Sequence, residues 1–278
     1  MITVTGASLS PATLENIYDS GSVQRALLDT MTKSASTYQY SDQSQLQFEL
    51  DLRSEIVNAA HALNRSGLNF AGFHDTWCNE AYWTRTTNGG FRLNSGANAA
   101  AAISDIYTNG RAYATECATA MMIVYYKALL ATLGERVFNQ TFSSIYLMNW
   151  DIREPLLAAV GMMTKVDEML LGDRAYFINP DVDPKTPQWQ GENVIVLPNN
   201  LFYGHGIGLT TAERIVRALN ANRKKGSTTQ AHFMENTAGR PDFIRLSRLA
   251  GRTRQEAIPA AATGALVWKP FPPPLYQI

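Results

Sequence analysis

The chain has 278 residues and only two cysteines, Cys78 and Cys117. A secreted disulfide framework needs more thiols at regular spacing, so two free thiols in a reducing compartment is the expectation. An excess of charge of either sign is missing too. The 24 basic residues are matched by 24 acidic ones, and no basic stripe argues for nucleic acid and no polybasic arm for a membrane surface. No apolar run reaches the roughly 18 residues that would suggest a membrane span, and Lys127 interrupts the best stretch. The opening MITVTGASLSP lacks a basic segment followed by an apolar one, so it does not read as a signal peptide. An intracellular location follows as the expectation. There is no GxGxxG, Walker loop, HExxH or paired CxxC, which removes the common signatures of dinucleotide, nucleotide and zinc chemistry. No calcium constellation is visible either, and neither a metal nor a cofactor is expected.

What is present is an ordinary globular composition, 45% hydrophobic and 17% charged. A strand-like ITV opens mixed polar structure over residues 1–30. Phe48, Leu52, Ile56, Ala59, Ala60 and Leu63 recur at helical spacing over 42–65, with Gly67 as the stop. Residues 72–94 read as strand, turn and strand around Asn88-Gly89-Gly90. A helix over 97–108 precedes an apolar one over about 114–133 that stops at Gly134. SIYLMNW (144–150) reads as a strand and 151–171 as a helix. Residues 176–178, 193–197 and 201–208 read as strands. Thr210 and Glu213 form a capping box for a helix ending at Gly226, with Arg223-Lys224-Lys225 in its last turn. The first 250 residues read as one domain, and 251–278 as a Pro/Ala-rich tail.

Cys117 opens the apolar helix, next to Glu116. Unpaired N–H groups and the positive end of the macrodipole favour a thiolate there. Such a nucleophile needs a base in contact with it. A turn centred between Pro198 and Asn199 pairs positions whose numbers sum to 397, which sets Glu192 opposite His205. A surface Glu–His pair is the plain alternative. Cys78 has neither a helix start nor a basic neighbour and reads as a packing cysteine. His61 reads as solvated or core. The order Cys, Glu, His lacks the caspase and papain signatures, although a helix-borne cysteine facing a strand-borne pair is a papain-like arrangement. Trp150, Trp189, Tyr176 and Phe70 bracket these residues in sequence. They either line a passage suited to a lysine or glutamine stem, or simply fill the core.

YATECATA with its apolar helix, NW (149–150), GDRAYFINP (172–180), QWQGENVIVL (188–197) and FYGHGIG (202–208) resemble the spore-coat protein-glutamine gamma-glutamyltransferases of spore-forming bacteria. FELDLR (48–53) and NRKKG (222–226) fit as well, and the resemblance covers residues 1–247. It implies an α+β fold with a single papain-like core of the cell-wall-peptidase type, the cysteine-led helix buried against an antiparallel sheet. By the same resemblance Cys117 is the nucleophile, Glu192 its main partner, Glu116 an auxiliary acid and His205 a histidine of the site. Trp150, Trp189, Phe70 and Tyr176 shape the substrate passage. The implied activity is calcium-independent cross-linking of protein glutamine to lysine. The substrates are expected to be spore-coat proteins, met in the mother-cell cytoplasm and at the coat. The rival readings are a cysteine peptidase or glutamine deamidase, and a non-enzymatic coat component.

Overall fold

A computed structural model describes residues 1–4, 17–152 and 154–256 of the chain. Helix α1 runs Val23–Lys33, α2 Gln43–Arg65, α3 Ala99–Thr108, α4 Cys117–Leu133, α5 Glu135–Thr141, α6 Ala212–Asn220 and α7 Phe243–Glu256. The main sheet has β1 Arg174–Ile178, β2 Gly191–Leu197, β3 Leu201–Gly204, β4 Gly208–Thr211 and β5 His232–Phe233. Its order is β4-β3-β2-β1-β5, antiparallel throughout. None of the described helices is long and apolar enough to cross a membrane.

The apolar spacing in α2 explains its burial. Leu52, Ile56, Ala60 and Leu63 join one core with Ile123, Tyr125 and Leu129 of α4, each large aliphatic chain contributing roughly 2 kcal/mol. Asp42 caps α2 by accepting from the Gln45 amide at 2.9 Å. Gly67, at φ +82°, lies just past the Ser66 cap, a conformation glycine adopts freely. Helix α4 is apolar all round because α2 covers one side and the sheet another. In β2, Ile195 and Leu197 face this core while Val194 faces a second cluster with Phe177, Ile215 and Leu219.

A buried charge network joins the layers. Asp173 lies just before β1. It accepts from Arg53 of α2 at 2.8 Å and from Arg240 at 2.7 Å. The Arg53 guanidinium also lies 4.6 Å from the Phe243 ring centroid, which docks α7.

Several expectations change. Helix α1 occupies part of the stretch read as mixed polar, and α5 follows Gly134 directly. The described residues of 151–171 form no α-helix. A short 3-10 turn, Ala158–Gly161, and a strand, Thr164–Lys165, stand there instead. Pro155 and Gly161, both poor helix-interior residues, interrupt the stretch, yet Leu157 and Val160 still reach the core. The strand expected over 144–150 is only Tyr146–Leu147, because Asn149 turns the chain at φ +47° before Trp150. The hairpin strands in 72–94 shorten to Trp83–Arg85 and Phe91–Leu93. Thr210 belongs to β4, and Thr211 stands at the α6 N-cap. Helix α6 ends at Asn220, so Arg223-Lys224-Lys225 lie beyond it, where Lys224 pairs with Asp181 at 2.8 Å. Helix α7 continues past residue 250 to Glu256, and the rest of the expected tail lies outside the described residues.

Candidate active site

A two-residue parallel ladder fixes the approach to Cys117. Asn69–Phe70 pairs with Ala114–Thr115, and the Ala71 amide donates to the Thr115 carbonyl at 2.9 Å. Glu116 then caps α4. Its carboxylate accepts from the Ala118 and Thr119 amides at 2.5 and 2.8 Å, while the Ala120 amide donates to the Glu116 carbonyl. The helix-start donors expected to favour a thiolate are therefore largely occupied by a carboxylate.

The electrostatic balance at the sulfur is opposite to the expectation. Burial, then the charges of Glu192 and Glu116, push the Cys117 thiol up to about 12, against the pull of hydrogen bonds from Asn193. Burial and the Glu116 charge likewise raise the Glu192 carboxyl well above the carboxylate range. Glu192 is buried, and its Oε1 has no hydrogen-bond partner among the described residues. Both members of the pair thus hold a proton more tightly than the free side chains do.

The expected register of the hairpin is off by one. Leu197 pairs with Leu201 and Val194 with Gly204, so partner numbers sum to 398. Asn199 and Asn200 both take positive φ, at 61° and 56°, and make a three-residue turn centred on Asn199. Glu192 is therefore not opposed to His205, and its side chain lies over Gly204 instead. His205 sits in the turn after β3, where its Nε2 donates to the Asn69 carbonyl at 3.1 Å and Nδ1 faces the Tyr203 hydroxyl at 3.5 Å. Burial lowers its pKa to about 4, so the ring is neutral.

Glu192 and His205 nevertheless meet at one cavity of about 260 Å³, lined also by Phe70, Trp189, Gly206 and Ile207. Phe70 and the His205 ring are 5.8 Å apart between centroids. Tyr176 extends across Gly191 toward the sulfur side, where burial, then Cys117 and Glu192, push its phenol up to about 12. Trp150 is placed differently from the other aromatics. Its ring lies 4.3 Å from the Arg174 guanidinium. The Asn149 amide donates to Thr119 Oγ1 at 2.7 Å, which ties this segment to α4.

Two site residues were not singled out from the sequence. Asn193 Nδ2 donates to Cys117 Sγ at 3.5 Å, and Arg174 Nη1 donates to Asn193 Oδ1 at 2.7 Å. The available signals were strand alternation, which turns Asn193 to the face opposite Glu192, and an arginine inside the apolar strand RAYFI. Cys78 is half-buried, with burial raising its thiol to about 11, and it points at the Trp83 carbonyl. His61 is lowered by burial and by Arg65. Among the described residues, no cluster of His, Cys, Asp and Glu could hold a metal ion.

This site stands in a chain with close relatives. The family model "Protein-glutamine gamma-glutamyltransferase" matches residues 1–250. The protein-glutamine gamma-glutamyltransferase of Halalkalibacterium halodurans is 40% identical over 233 residues, 84% of this chain and 80% of the relative. The one from Bacillus cereus strain AH187 is 38% identical over 263 residues, 94% of this chain and 92% of the relative. A solved transglutaminase from Geobacillus stearothermophilus, described as without its C-terminal extension, superposes with a TM-score of 0.70 at 43% identity. That match covers 75% of this chain and 98% of the other. The protein therefore belongs to the protein-glutamine gamma-glutamyltransferase family and is an acyltransferase, a transglutaminase of mixed helix-and-sheet architecture.

Proposed function

We propose that this transglutaminase works through Cys117 as nucleophile and Glu192 as its acid–base partner, on a papain-like core. The observation that carries the reading is the electrostatic interaction between the helix-opening Cys117 thiol and Glu192, a buried carboxylate whose Oε1 has no hydrogen-bond partner among the described residues and which lines an aromatic cavity. Glu192 takes the thiol proton, and the sulfur attacks the side-chain carbonyl carbon of a donor glutamine. The C–S bond forms and the carbonyl π pair moves to oxygen. As that oxyanion collapses, the C–N bond breaks and the nitrogen leaves as ammonia with the proton held by Glu192. A lysine amine then attacks the thioester and gives its proton to Glu192. The C–S bond breaks, which restores the thiol–carboxylate pair and leaves an isopeptide cross-link.

The raised proton affinity of Glu192 suits this exchange, since an ordinary carboxylate is too weak a base for a buried thiol. Glu116 adds negative charge and caps α4, so it acts on the pair from behind the nucleophile. His205 has both nitrogens facing protein groups, which suits a neutral support of the cavity better than a proton carrier. Phe70 and Trp189 suit the aliphatic stem of an entering glutamine or lysine, while Tyr176 reaches toward the sulfur side and Trp150 adjoins the site through Arg174. Spore-coat proteins, met in the mother-cell cytoplasm and at the coat, are the proposed substrates on the strength of the sequence resemblance. Residues 1–250 are the proposed catalytic domain, followed by a Pro/Ala-rich tail over 251–278.

Incubation with casein and a fluorescent primary amine tests the reading. Label should enter casein with ammonia release, and Cys117→Ala should abolish both. Ammonia release without label would show a deamidase instead, and an active Cys117→Ala variant would remove the nucleophile.

A further inference from the structure

The groups touching the sulfur are not all accounted for by a Cys–Glu pair. Asn193, which follows Glu192 in β2, is buried and gives an N–H to Cys117 Sγ at 3.5 Å. Which end of that amide faces the sulfur is settled by chemistry. The other end meets Arg174 Nη1 at 2.7 Å, and a guanidinium has donors only. The atom against Arg174 must be the oxygen, so the NH₂ must face Cys117.

Arg174 is itself held from several sides. Its Nε donates to the Val160 carbonyl at 2.7 Å, and its guanidinium stacks on Trp150 at 4.3 Å. Its backbone pairs with Gly239 in both directions, at 3.2 and 2.9 Å. A Cβ on Gly239 would stand 2.3 Å from the Val160 carbonyl oxygen and 2.7 Å from Arg174 Nε, so the side chain lies directly against a residue that has none. Such a rigid setting is what a fixed amide requires.

The usual source of oxyanion donors is meanwhile engaged. The amides of Ala118, Thr119 and Ala120 already serve Glu116, which leaves the Cys117 amide itself from the first turn of α4.

We propose that Asn193 is a catalytic hydrogen-bond donor to the thiolate and to the carbonyl oxygen under attack, and that Arg174 is the positioning residue that fixes its orientation. The inference rests on Cys117 being the nucleophile. When sulfur bonds to the glutamine carbon, the π pair moves onto an oxygen beside the sulfur, within reach of an amide that carries two N–H groups. The hydrogen bond from Asn193 also opposes the burial that raises the thiol.

Four variants test it: Asn193→Ala, Asn193→Asp, Arg174→Lys and Arg174→Met. The readouts are kcat and KM for casein labelling, and the pH profile of iodoacetamide alkylation at Cys117, followed by peptide mapping to separate it from Cys78. Asn193→Asp keeps the shape and the link to Arg174 while replacing the donor by an acceptor, so it remains informative if Asn193→Ala does not fold. Loss of the donor should lower kcat about a hundredfold, leave KM within about threefold, and move the alkylation profile to higher pH. Arg174→Met should move that profile in the same direction and Arg174→Lys less, whereas a merely structural arginine would lower Tm without moving it. The proposal falls if folded Asn193→Asp keeps kcat within about threefold of the parent with an unmoved profile. A Cys117→Ala control that still cross-links would instead remove the nucleophile on which the proposal rests.

Discussion

Glu192 and Gly204 are fitted to one another across β2 and β3. A Cβ placed on Gly204 would stand 2.7 Å from Glu192 Oε1 and 2.9 Å from its Cγ. The carboxylate thus occupies the space that any other residue at 204 would fill. Gly204→Ala should push Glu192 away from the sulfur while β3 keeps its ladder. A misplacement near 1 Å can cost about a hundredfold in rate, so labelling kcat should fall at least tenfold with Tm nearly unchanged. Unaltered kcat in the folded variant would mean that the position of Glu192 is not critical.

Glu116 raises the proton affinity of both members of the reacting pair. Removing its charge in Glu116→Gln should lower both. The acid limb of kcat/KM, where the pair loses the proton that blocks attack, should then move to lower pH. One helix-cap acceptor is lost as well, at a cost near 1 kcal/mol, so Tm should drop slightly. A pH series of casein labelling reads the first effect, and a limb that stays or moves upward contradicts it.

His205 is buried and neutral, with a folded pKa of about 4 against 6.5 for the free side chain. Below pH 6.5 the unfolded chain takes up a proton that the folded chain refuses until about pH 4. Stability from this group is therefore complete above pH 6.5 and is lost as pH falls toward 4, by about 3 kcal/mol. His205→Gln should lose less Tm than the parent between pH 7 and 4.5. Equal slopes in thermal melts would show that His205 does not titrate in this way.

Asp173 is completely buried between Arg53 and Arg240, and its Oδ2 also accepts from the Leu170 amide at 2.8 Å. Burial disfavours its charge, but the two arginines overcome this and hold the carboxyl below its ordinary range. Asp173→Asn leaves the buried Arg53 and half-buried Arg240 short of a counter-charge, and breaking a buried pair costs about 3–5 kcal/mol. Urea unfolding should register that loss, while a change under 1 kcal/mol would mean that water or a neighbour replaces the carboxylate.

Elements with strong apolar periodicity or clear stops were legible from the sequence. Helices α2 and α4 end within two residues of their Gly67 and Gly134 signals. Cys117 at a helix start was legible for the same reason. What failed depended on geometry that no local pattern carries. A single residue of turn, decided by two asparagines at positive φ, set the register between Glu192 and His205. The apolar residues of 151–171 announced burial but not helix, because a turn buries Leu157 and Val160 as well as a helix would. The helix start alone favours a thiolate, and the capping carboxylate of Glu116 reverses that balance because it takes up the first free amides and adds negative charge. Asn193 went unremarked because an amide gains its role only from what holds its far end.

The short ladder between Asn69–Phe70 and Ala114–Thr115 binds one side of the cavity to the backbone that delivers the nucleophile, and the Asn69 carbonyl secures His205 as well. That side cannot retreat without dragging the sulfur with it. Room for a bulkier incoming chain must therefore come from another part of the lining, such as Trp189, which ends a 3-10 turn reached through the exposed stretch Pro184–Lys185. Selectivity among protein partners would then be tuned along that stretch, leaving the reacting atoms undisturbed.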